Sequence, residues 1–68
     1  MERAPIAIVR DRAFELADTG KFKFWPGVRD ALAQEGGDNF LIRLLEGDAY
    51  FKFRLRQRIK AAQGRTGA

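Results

Sequence analysis

Apolar residues recur along this chain at helical spacing in four runs, and glycines separate the runs. Ile6, Val9, Ala13, Leu16 and Ala17 share one helical face. Pro5 ahead of them suits a first turn, where its missing N–H costs nothing, and Gly20 stops the helix. Residues 21–24 then alternate polar and apolar, and Trp25 is expected to be extended because the ring of Pro26 crowds the helical region of its predecessor. A second helix begins at Pro26, carries Val28, Ala31 and Leu32 on one face with Glu35 on the same pitch, and ends at Gly36 and Gly37. Asp38 is placed to cap a brief third helix bearing Phe40, Leu41, Leu44 and Leu45, closed by Gly47. Asp48 can cap a fourth, and residues 64–68 are expected to fray.

The fourth run fits two conformations, and the choice between them decides the fold. As a helix it places Phe51, Leu55, Ile59 and Ala62 at i, i+4, i+8 and i+11 on one face, bordered by Lys52 and Arg58, and leaves Phe53 off that face. As a strand, residues 50–60 alternate Phe51, Phe53, Leu55 and Ile59 with Lys52, Arg54, Arg56, Arg58 and Lys60, broken only by Gln57. A turn at Gly47 and Asp48 would then pair Leu44 with Phe51, Ile42 with Phe53 and Phe40 with Leu55. Strong helix formers over residues 54–63, the two capping aspartates and the length of the run favour the helix. The expected fold is therefore all-α, a compact bundle of four short helices in a single small domain over residues 1–68. A helical hairpin followed by a C-terminal β-hairpin is the alternative.

Composition narrows the chemistry. With neither cysteine nor histidine there is no disulfide, and a zinc site would have to be built from carboxylates alone, so no metal or cofactor is expected. An apolar fraction of 46% with six Phe, one Trp and one Tyr calls for a packed aromatic core, although 68 residues lie near the lower size for a single unaided core. The apolar run at residues 6–9 is too short for a signal peptide or a membrane span before Arg10, Asp11 and Arg12 interrupt it, so a cytoplasmic protein is expected.

Ala13, Leu16, Ala17, Gly20, Phe22, Trp25, Val28, Leu32, Glu35 and Gly36 form the pattern A-x-x-L-A-x-x-G-x-F-x-x-W-x-x-V-x-x-x-L-x-x-E-G. Over residues 13–36, about a third of the chain, this resembles a recurring set of short bacterial hypothetical proteins with no assigned activity. The resemblance implies a helical fold with a second helical pair to follow, and it implies no catalytic or ligand residues. The aromatic and basic stretch over residues 50–58 departs from that set.

Charge is distributed unevenly. The last twenty residues hold six bases and no acid, a net +6, whereas the first 48 hold seven bases and nine acids, a net −2. Such a cationic end attracts nucleic acid, an anionic surface or an acidic protein. In one reading Lys52, Arg54, Arg56, Arg58 and Lys60 contact phosphates while Tyr50 and Phe53 stack on unpaired bases. In the plainer reading the same side chains solvate the outside of a terminal helix and lay their stems over apolar neighbours. Membrane insertion is not expected, because Phe53 among the bases spoils a clean apolar face.

Catalytic groupings are nearly absent. Asp11, Glu15 and Asp18 fall along one helix surface beside Arg10 and Arg12, a pattern that ordinarily solubilises. Thr19, Tyr50 and Thr66 are the hydroxyls, and no histidine is present to activate them. Gly36, Gly37 and Asp38 lack the downstream Gly-Lys-Ser/Thr of a phosphate loop. A helix-turn-helix reading fails at the start of the second helix, where only Arg29 and Gln34 could reach base edges. An ordinary helical hairpin whose end is sealed by Phe22, Phe24 and Trp25 fits better. The chain is thus expected to be no enzyme but a small binding or adaptor module. Its partner would be another protein or a second copy, met through Phe22, Phe24, Trp25 and Phe53. Nucleic-acid binding through the basic last segment is the alternative.

Overall fold

A computed structural model describes residues 4–66, with side-chain environments over residues 4–64. Four helices follow one another: α1 (Pro5–Asp18), α2 (Trp25–Gln34), α3 (Asn39–Glu46) and α4 (Ala49–Thr66). The fold is all-α, and no strand occurs among the described residues, so the β-hairpin alternative is not formed.

Each boundary has a local cause. Pro5 stands in the first turn of α1, and Gly20, at φ +78°, turns the chain out of it. At the end of α2 the N–H of Gly37 donates to Leu32 O at 3.0 Å and that of Gly36 to Ala33 O at 3.1 Å, with Gly36 at φ +87°. These paired bonds satisfy carbonyls that the helix end leaves open. The Asp38 carboxylate accepts from the N–H groups of Phe40 (2.8 Å) and Leu41 (3.4 Å), and that of Asp48 accepts from Phe51 N–H (3.0 Å), so both aspartates cap as their positions predict.

The core is drawn from all four helices. Ala13, Leu16 and Ala17 meet Val28 and Leu32 of α2, Ile42 and Leu45 of α3, and Phe51, Leu55, Ile59 and Ala62 of α4 are buried with them. The whole i, i+4, i+8, i+11 face of α4 is therefore inside. Phe51 joins the layers, its ring 5.3 Å from that of Phe14 and 5.5 Å from that of Trp25, the latter edge to face. α1 and α4 share the largest interface, and beside it Arg58 grips Asp18 with two hydrogen bonds of 3.2 and 2.9 Å.

Four expectations are corrected. Trp25 is the first residue of α2, and the extended residue is its predecessor Phe24, at φ −142° and ψ 156°. Phe24 does not seal the core but stands 73% exposed, and Phe22 and Trp25 alone of that trio pack against it. In α3 the buried pair is Ile42 and Leu45, whereas Phe40 and Leu44 face solvent. Finally α4 runs on through Gly64 to Thr66, where a frayed tail was expected; residues 67 and 68 lie outside those described. No helix among the described residues is long and apolar enough to cross a membrane.

Candidate interaction groove

The link between α1 and α2 is fastened from behind by α4. Gln63 donates its side-chain N–H to Gly20 O (2.7 Å) and to Phe22 O (3.2 Å), while Phe22 packs on the core. Gly27 makes room for that ring, since a Cβ there would lie 3.1 Å from Phe22 Cδ1. With Phe22 drawn inward, its neighbours Lys23 and Phe24 are both left exposed at the mouth of a groove.

The groove has a volume of about 430 Å³. Lys23, Phe24, Trp25 and Pro26 form one wall, and Ala49, Lys52, Phe53 and Arg56 of α4 form the other. Buried Leu55 and Ile59 lie at its base. Trp25 is held rigidly, edge-on to Phe51 and with its indole N–H donated to the Glu46 carboxylate, which also receives Arg29 at 3.0 Å and faces Lys52 at 3.8 Å. The Trp25 hydrogen bond, with the Arg29 hydrogen bond and the charges of Lys52 and Arg29 acting in the same direction against partial desolvation, holds the Glu46 carboxyl below the usual carboxylate range.

Three of the four residues chosen as an interaction surface meet in this groove, namely Phe24, Trp25 and Phe53; Phe22 supports it from inside. Phe53 is 60% exposed, as a helical α4 requires. The five bases separate. Lys52 and Arg56 line the groove, and Lys60 continues the same flank one turn on. Arg54 and Arg58 line a different cleft, with Arg54 6.0 Å above the Tyr50 ring and Arg58 4.7 Å above that of Phe14. Tyr50 and Phe53 therefore belong to different surfaces, and the single basic strip of the sequence becomes two flanks of one helix.

Lys23 and Glu46 were not singled out by the sequence. Lys23 had a signal in its place beside Phe24 in the alternating link, whereas the role of Glu46 depends on contacts with residues 17 and 21 positions away. Elsewhere the charged groups mostly pair. Arg12 meets Glu35 at 2.6 Å, which lowers the Glu35 carboxyl chiefly through that hydrogen bond, and Arg29, the candidate base reader, is turned onto Glu46. Asp18 is held by Arg58 and Glu15 lies 3.8 Å from Arg12. Among the described residues no group of three or more carboxylates is arranged to hold a metal ion.

Comparison with known protein families, curated proteins and solved structures finds no match to this chain. The ten positions of the A-x-x-L-A pattern all have structural tasks here. Ala13, Leu16, Ala17, Val28 and Leu32 are buried, Phe22 and Trp25 pack on the core, Gly20 and Gly36 take positive φ, and Glu35 pairs with Arg12.

Proposed function

We propose that the protein is a small, non-catalytic binding module that engages a partner protein through the groove between the α1–α2 link and α4. The observation that carries this reading is the pair of phenyl rings, Phe24 at 73% and Phe53 at 60% exposure, on opposite walls of one groove. Full burial of such a ring is worth about 1.5–3 kcal/mol, and each ring leaves more than half of that for a partner to recover. Trp25, beside Phe24 on the same wall and bonded to Glu46, supplies the kind of aromatic anchor on which interfaces depend. A photo-crosslinking side chain at position 53, used in the native cell, tests the reading. A discrete protein adduct that survives nuclease and disappears with Phe24→Ser is expected, and an adduct insensitive to Phe24 counts against the groove. A cytoplasmic location belongs to the same proposal and is checked by fractionation.

One observation favours nucleic acid as a second reading: the charged residues lining the groove, Lys23, Lys52 and Arg56, are all cationic. Engaging about three phosphates of a single strand would give a slope of roughly −2 in log K against log salt. Anisotropy with random single-stranded oligonucleotides measures it, and a salt-independent or absent signal removes this reading.

A further inference from the structure

We propose that the groove receives an acidic amphipathic helix, whose apolar residues sit between Phe24 and Phe53 and whose carboxylates meet Lys23, Lys52 and Arg56. This rests on the partner-protein reading above and specifies the chemistry of the partner.

Charge complementarity sets the sign. No carboxylate lines the groove, and Lys23, Arg56 and Lys60 form no ion pair among the described residues, whereas Arg12, Arg29 and Arg58 are each matched to an acid. Lys52 faces Glu46 at 3.8 Å, so the positive field left uncompensated on that side of the molecule is that of Lys23, Arg56 and Lys60.

Spacing and hydrogen bonding set the form. Lys52, Arg56 and Lys60 recur every four residues along α4, roughly 6 Å apart. A helix lying along α4 repeats its own i and i+4 side chains at the same interval. An extended peptide repeats at a similar distance but would bring unsatisfied backbone groups, because one wall is the helix α4, the other is the short α1–α2 link with the start of α2, and no strand among the described residues offers a sheet edge to pair with. A helix satisfies its own backbone.

Nucleic acid fits the same surface less well. Seven of the ten lining residues are apolar: Phe24, Trp25, Pro26, Ala49, Phe53, Leu55 and Ile59. A phosphate backbone also needs a continuous cationic track, and Arg54 and Arg58 are on the far flank.

The test titrates the full chain with three synthetic probes, read by Trp25 emission and backbone amide shifts. The first is an amphipathic helical peptide with leucine and phenylalanine on one face and glutamates at i and i+4 beside them. The second is the same peptide with every glutamate changed to glutamine, and the third is an oligothymidine. We expect the acidic peptide to shift Lys23, Phe24, Trp25, Phe53 and Arg56, to weaken about tenfold in the Lys23→Glu, Arg56→Glu double variant, and to lose affinity as salt rises. A lysine version of the peptide should regain binding to that double variant, which separates charge recognition from damage to the fold. Equal binding of the glutamine peptide overturns the acidic partner while leaving the groove itself in use. Tighter binding of the oligothymidine at the same residues overturns it in favour of nucleic acid. No shift at the groove with any probe overturns the inference outright, and the position-53 crosslink then decides separately whether a protein docks there.

Discussion

Trp25 donates its indole N–H to the carboxylate of Glu46, tying the one tryptophan of the chain, a lining residue of the groove, to the last residue of α3. Together with Arg29 and Lys52, this bond keeps the Glu46 carboxyl below its ordinary 4.5. A group whose folded value is depressed contributes stability above its unfolded value and loses it as pH falls through the folded one. With no histidine in the chain, tryptophan emission should stay flat between about pH 8 and 5. It should then change with a midpoint under 4.5 in the wild type. Glu46→Gln should abolish that step, and Glu46→Ala should cost about 1 kcal/mol, small because the carboxylate is partly solvated. A wild-type midpoint at or above the ordinary value would show that the bond does not form in solution.

Leu55 and Phe53 lie two residues apart and should behave oppositely. Leu55 is completely buried, so Leu55→Ala should lose about 2–5 kcal/mol in urea unfolding. Phe53→Ala should stay within about 0.5 kcal/mol, because its ring is mostly in solvent. The same variant should weaken partner binding. A loss of several kcal/mol at Phe53 would mean that its ring belongs to the core.

The helix α4 was legible, although its alternation of apolar and basic residues also fits a strand, because an aspartate cap and a single face from Phe51 to Ala62 at helical intervals agree on the helix. α3 was not. Asn39, Arg43 and Glu46 share one face of this eight-residue helix and leave Phe40, Leu41, Ile42, Leu44 and Leu45 over a broad apolar arc, too wide for the sequence to say which part of it turns inward. Packing against the other helices chooses Ile42 and Leu45. Phe24 and Trp25 exchanged roles for a related reason: adjacent aromatics give a reader no basis for deciding which turns inward, and the choice rests on Glu46 and Phe51, distant in sequence. The basic segment was legible as composition but not as a surface, since successive alternate residues point together on a strand and diverge on a helix.

That divergence predicts which bases are structural. Arg58 carries both the Asp18 pair and the contact with the Phe14 ring, whereas Arg56 contacts neither an acid nor a ring among the described residues. Arg58→Ala should therefore destabilise by about 0.5–1.5 kcal/mol, limited by solvent screening of a half-exposed pair. Arg56→Ala should be neutral within about 0.5 kcal/mol yet should weaken partner binding. A double-mutant cycle with Asp18→Asn isolates the pair; no coupling there would leave the ring contact as the whole effect.

Three glycines separate steric from conformational demands. A Cβ at Gly37 would lie 2.8 Å from Leu32 O, a backbone atom of α2, and 3.2 Å from Ile42 Cδ1, so relief requires the α2 terminus to move. At Gly36 a Cβ meets nothing within 4 Å, but φ +87° strains any L side chain. At Gly64 a Cβ also meets open space, and there the backbone is helical. Gly37→Ala should accordingly be the most damaging, at about 2–3 kcal/mol by breaking the bond that ends α2. Gly36→Ala should cost about 1–2 kcal/mol. Gly64→Ala should be neutral or stabilising by up to about 1 kcal/mol, since alanine loses less backbone freedom in a helix. Denaturant midpoints of the three variants give the order directly. Because neither Gly36 nor Gly37 lines the groove, both variants should still bind the acidic peptide with wild-type affinity below their unfolding transitions. Lost binding by a folded Gly37→Ala protein would instead couple the α2–α3 turn to the groove through Glu46 and Trp25.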